Sequence, residues 1–149
     1  MRRIIRASVL ISVATLVLVS CGNKETPEQR LARLRSNHEI YPVAAKTLYD
    51  AEGNPTLLVD LQVANQGGEA LDKLTVLVKV IGGDGVVKDS QRVTLDLEGV
   101  QPGVGARVSA SLPGVELLED DQVTVELEHN LTPEDLRELP EFKAVAGVS

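Results

Sequence analysis

Apolar and polar positions fall into three regimes along the chain. Residues 7 to 19 form an apolar run interrupted only by Ser8, Ser12 and Thr15. Leu31 and Leu34 then stand one helical turn apart behind Thr26-Pro27-Glu28-Gln29, where Thr26 suits an N-cap, Pro27 the first helical position and Gln29 the third of a capping box. This predicts a short helix ending near Ser36-Asn37. From Val43 to about Glu128 the period drops to two. Val59, Leu61 and Val63 alternate with Asp60 and Gln62, and Leu74, Val76, Val78 and Val80 with Thr75, Leu77, Lys79 and Ile81. The same alternation recurs at Val93, Leu95 and Leu97, at Ala106, Val108 and Ala110, and at Val123, Val125 and Leu127.

The breaks between these runs carry turn residues: Glu52-Gly53-Asn54-Pro55, Asn65-Gln66-Gly67-Gly68, Gly82-Gly83-Asp84-Gly85, Gln101-Pro102-Gly103 and Pro113-Gly114. Asp84-Gly85 predicts a hairpin between strands ending at Ile81 and starting at Val86. With a first strand over residues 46–49, the spacing predicts a mainly β domain, an antiparallel immunoglobulin-like β-sandwich of six or seven strands with short N- and C-terminal helices. Thr132-Pro133-Glu134-Asp135 repeats the helix-start pattern, with Pro140 as its stop. Leu136, Leu139 and Phe142 then either close an open end of the sandwich or form a docking peptide. Leu77 and Ile81 lie on the face of their strand opposite the core, and we take them as the candidate partner surface.

Composition narrows the function classes. The chain has 149 residues and a formal net charge of −7, with three aromatics and one Cys. That is room for one small domain, without the basic footprint or stacking surface that nucleic acid uses. One Cys forms no intramolecular disulfide and no cysteine cage for a metal.

The apolar run explains that Cys. Arg2, Arg3 and Arg6 precede it, and 13 residues are too few for a spanning helix of about 20, so the layout is that of a secretory signal peptide. Its end, Leu18-Val19-Ser20-Cys21, resembles the lipobox of bacterial lipoproteins. The resemblance implies acylation of Cys21 and cleavage before it; the alternative is a buried core Cys. Removal of residues 1 to 20 takes three arginines and no acid, leaving 129 residues with 12 basic against 22 acidic side chains. Such a chain repels anionic headgroups, so membrane contact rests on the lipid. Gly22 stands where the enterobacterial pattern has Asp for inner-membrane retention, which implies the outer membrane, facing the periplasm. The expected organisation is a signal peptide over 1–20, a lipidated tether with the short helix over 21–42, the sandwich over 43–130 and a C-terminal helix and tail over 131–149. The short helix either docks on the domain, frays, or lays Arg30, Arg33 and Arg35 on headgroups.

Val63-Ala64-Asn65-Gln66-Gly67, the segment Leu74 to Gly85, and Leu97 to Gly103 together resemble the FxLYD-like envelope domains found on bacterial lipoproteins. The likeness covers roughly residues 55 to 112. Val78 and Gly82 stand where that family's name motif carries Phe and Tyr. The resemblance implies fold and location, and fold alone does not give function.

Candidate chemistry is sparse. Gly82-Gly83-Asp84-Gly85 leads into a strand and lacks the Lys-Ser or Lys-Thr of a phosphate loop. Ser109 and Ser111 have no His near them in sequence. Glu126 and Glu128 share a strand face beside His129, and Glu116, Glu119, Asp120 and Asp121 form an acidic loop without calcium-loop spacing; both read as solvated before they read as metal sites. Asn130-Leu131-Thr132 matches a glycosylation sequon by chance. The sequence thus leads to a non-enzymatic, lipid-anchored envelope module with no cofactor and a protein partner. The alternative is a lipoprotein that carries a small ligand or metal to an envelope complex.

Overall fold

The computed structural model describes residues 24–128 and 131–147. Cys21, Leu18, Val19, Ser20, His129 and Asn130 lie outside the described residues. The element order is α1 (Pro27–Ser36), β1 (His38–Tyr49), β2 (Pro55–Asn65), β3 (Leu71–Ile81), β4 (Val87–Val100), β5 (Gly105–Pro113), β6 (Gln122–Glu126), α2 (Pro133–Glu138) and α3 (Pro140–Ala146). The six strands form two three-stranded sheets, β1-β2-β5 and β4-β3-β6, antiparallel throughout. They pack face to face as the predicted sandwich.

Period two is what builds the core. Leu57, Val59, Leu61 and Val63 of β2 face Leu74, Val76, Val78 and Val80 of β3, and all are at most 1% exposed. Leu95, Leu97, Ala110 and Leu112 close the same cluster from the flanking strands. Truncating one of these leucines to Ala removes about 2 to 5 kcal/mol through lost transfer energy and the cavity left behind. The turns follow the predicted residues: Gly85 closes the β3–β4 hairpin at φ 80, a conformation that side-chain-bearing residues rarely adopt.

Two boundaries differ from the sequence reading. β1 begins at His38 rather than near residue 46 and takes in the stretch assigned to the tether, because Pro42 and a bulge between Pro42 and Ala44 interrupt its alternation. Pro is tolerated there because β1 is an edge strand. Residues 87–100 form one continuous strand, so the hairpin strand starting at Val86 and the Val93 to Leu97 strand are a single element.

The N-terminal helix docks. Its capping box is complete, the Gln29 amide donating to Thr26 Oγ1 at 3.3 Å and the Thr26 amide to Gln29 Oε1 at 3.0 Å. Leu31, Leu34 and Leu139 are buried outside the main core cluster, and α1 lies against α3. The helix begun at Thr132 ends at Glu138, just before Pro140 as the sequence predicts, and Pro140 then opens a further helix, α3, whose first position suits its fixed φ and missing N–H.

Candidate functional site

The outer face of the β4-β3-β6 sheet holds the candidate partner residues. Antiparallel register places Arg92 and Glu126 on either side of Leu77, and Val87 and Gln122 on either side of Ile81. Both apolar side chains are half-buried. They sit inside a frame of ion pairs, Lys79 with Glu126, and Arg92 with Glu128 at 2.5 Å and Asp135 at 3.2 Å. Exposed pairs of this kind contribute about 0 to 1 kcal/mol each. They make the face polar around two apolar residues.

The Thr75 end of this face is covered by α3, and the contact is built from groups far apart in sequence. β6 stops opposite Leu77, leaving the Thr75 amide without a strand partner on that side. Glu141 supplies the acceptor: its Oε1 accepts from the Thr75 amide at 2.9 Å and its Oε2 from the Thr75 hydroxyl at 3.0 Å. Arg35 of α1 donates to the same carboxylate at 2.5 Å and to the Glu128 carbonyl at 3.4 Å. Arg35 and Glu141 are 7% and 6% exposed. Burial pulls the Arg35 pKa below its ordinary range while Glu141 opposes the shift, and a guanidinium stays charged through such a change. α1, α3 and β3 are thereby locked through one carboxylate. Of the three arginines, Arg35 is therefore buried, and Arg30 and Arg33 are paired with Glu69 at 2.6 and 3.3 Å.

Beside this lock, Arg35, His38, Ile40, Val125 and Leu127 line a cleft of about 250 Å³ between β1 and β6. Neither ring nitrogen of His38 has a hydrogen-bond partner among the described residues, and burial lowers its pKa. The sequence singled out neither His38 nor Glu141 and grouped Arg35 only with Arg30 and Arg33, since the carboxylate that holds Arg35 comes from the other end of the chain.

The remaining candidates are placed as follows. Ser109 donates to Asp60 at 2.6 Å across β2 and β5, and Glu126 and Glu128 are engaged by Lys79 and Arg92. Among the described residues no three metal-ligating side chains gather. The acidic loop is pinned at Asp121, whose carboxylate Lys88 holds below its usual pKa. Asn65, the last residue of β2, has a structural task. Its buried amide donates to the carbonyls of Glu69 and Val100, both at 2.8 Å, and accepts from the Gly67 amide, tying the β2–β3 turn to the end of β4.

Comparison with protein-family models, curated proteins and solved structures finds no match for this chain.

Proposed function

We propose that the protein is a non-enzymatic protein-binding or accessory module of the bacterial envelope, tethered through lipid on Cys21 to the outer membrane and facing the periplasm. The observation that carries the reading is the succession of basic head, apolar run and Leu18-Val19-Ser20-Cys21 within 21 residues. Acyl chains contribute about 0.8 kcal/mol per buried methylene, so two or three hold a chain to a bilayer without a protein span. No helix among the described residues is long and apolar enough to cross a membrane. The docked α1 supports a close tether: Thr26, its cap, stands five positions after Cys21, a reach of at most about 18 Å. The buried charges support a non-catalytic domain, since Arg35 and Glu141 are consumed in joining helices to sheet.

Metabolic labelling with an alkynyl fatty acid tests the anchor. Wild-type protein is expected to take up label, to begin at an acylated Cys21 by mass spectrometry and to fractionate with the outer membrane, and Cys21→Ala to lose all three. An unprocessed wild-type chain with a free Cys21 thiol overturns the reading.

The His38 cleft supports the second reading, a carrier of a small ligand or metal. One unpaired imidazole is short of the four ligands of a structural zinc, which ranks this reading second. Calorimetric titration of the full chain with zinc and with calcium tests its metal form, which an absence of binding heat removes.

A further inference from the structure

The sandwich has two unlike ends. The Asn65 turn, the start of β1 and the helix α1 lie at one, and the register pairs there join His38 to Asn65 and Ala64 to Gly105. At the other end Tyr49 meets Pro55, Thr56 meets Pro113, and Ile81 meets Gln122 and Val87. The turns 50–54, 82–86 and 114–121 therefore converge on a tip, and the eleven residues of β2 set the ends about 35 Å apart.

Apolar exposure concentrates at that tip. Of the eight large apolar side chains exposed among the described residues, five are there: Leu48, Tyr49, Val86, Val87 and Leu118. Tyr49 is 58% exposed, Val86 59% and Leu118 53%. The loop 114–121 holds the group in place. Its Glu116 accepts from the Tyr49 hydroxyl at 2.5 Å, the Leu117 amide donates to Thr47 Oγ1 at 2.9 Å, and Asp121 binds Lys88 on the β3–β4 hairpin at 2.5 Å. Leu118 lines one cleft with Gly83 and Lys88. An exposed Tyr held by a hydrogen bond loses little further entropy on binding, which suits it as an anchor.

Charge says what faces it. The segments 50–54, 82–88 and 114–121 carry seven carboxylates and a single Lys, and that Lys is already paired. An apolar centre with an acidic rim is complementary to an apolar pocket rimmed by Lys and Arg, and repels both anionic lipid and nucleic acid.

We propose that this tip is the docking surface of the molecule and that its occupant is an envelope protein presenting a basic-rimmed apolar pocket. The inference deepens the function proposed above and rests on its protein-binding part. The lipid would hold the α1 end at the bilayer and the tip would face away from it.

The test places a photocrosslinking phenylalanine analogue in the full chain at Tyr49, Val87 or Leu118, and for comparison at Tyr41 or Val104, which are exposed away from the tip. Intact cells are irradiated and the crosslinked peptides mapped by mass spectrometry. Expected is one partner captured from the three tip positions and not from the other two, through a peptide with Lys or Arg beside apolar residues. Its yield should fall at least about threefold in the exposed-loop variant Glu119→Gln with Asp120→Asn, whose circular dichroism spectrum is expected to match the wild type. A partner captured only from Tyr41 or Val104 overturns the tip and keeps the protein-binding reading. Tip-to-tip capture between two copies, or a yield indifferent to the charge change, overturns the stated occupant. Capture of nothing from any position removes both proposals.

Discussion

Glu141→Ala is the sharpest perturbation available, because one carboxylate serves three donors. Its removal leaves the Arg35 guanidinium, whose side chain is 8% exposed, without its counter-charge, and leaves the Thr75 amide and hydroxyl without that acceptor. Breaking a buried pair from one side costs about 3 to 5 kcal/mol, and an orphaned buried donor about 1 to 3 kcal/mol. The two overlap, so we expect about 4 kcal/mol, capped by the free energy at which α1 and α3 release from the sheet. That is a large part of the stability of a small domain, typically about 5 to 15 kcal/mol. Urea unfolding followed by far-ultraviolet circular dichroism reads the global loss, and trypsin cleavage at Arg30, Arg33 and Arg35 reads release of the helix. The double variant Arg35→Met, Glu141→Gln keeps an acceptor for Thr75 and removes both charges. It should therefore be less destabilised than the sum of its single variants by about 2 to 3 kcal/mol. A Glu141→Ala loss under about 1 kcal/mol with unchanged trypsin resistance, or a coupling near zero, refutes the reasoning.

Three further outcomes follow from the same structure. His38 has a folded pKa below its unfolded value, so below about pH 6.5 the unfolded chain binds the extra proton. Stability measured by urea midpoint should fall as pH drops through that value towards the folded pKa, and His38→Phe should flatten the slope. Asn65→Ala removes a buried amide that joins the β2–β3 turn to the end of β4, and a loss of about 2 to 4 kcal/mol in urea unfolding is expected. Glu98 and Gly99 sit at φ 50 and 77 where β4 is out of step with β3, and a Cβ at Gly99 would stand 3.3 Å from Asp72 Oδ1. Gly99→Ala should lower the thermal midpoint by the equivalent of about 1 to 2 kcal/mol, while Glu98→Gly should leave it level or raise it.

The strands, caps and turns of this protein were legible in its sequence because each depends on residues close together in the chain. Alternation at Val59, Leu61 and Val63 marks a half-buried strand wherever that strand lies, and Thr26-Pro27 and Thr132-Pro133 mark helix starts through bonds to residues three positions on. Where a local irregularity broke the signal, at Pro42 and the adjoining bulge, the reading of β1 failed. Tertiary structure alone decided among docking, fraying and headgroup contact for α1, and placed Arg35 against Glu141, 106 residues away. It also decided that Tyr49, Val87 and Leu118 converge on one tip. Each of these three belongs to a different segment with an ordinary local pattern, and only the antiparallel register brings those segments to the same end.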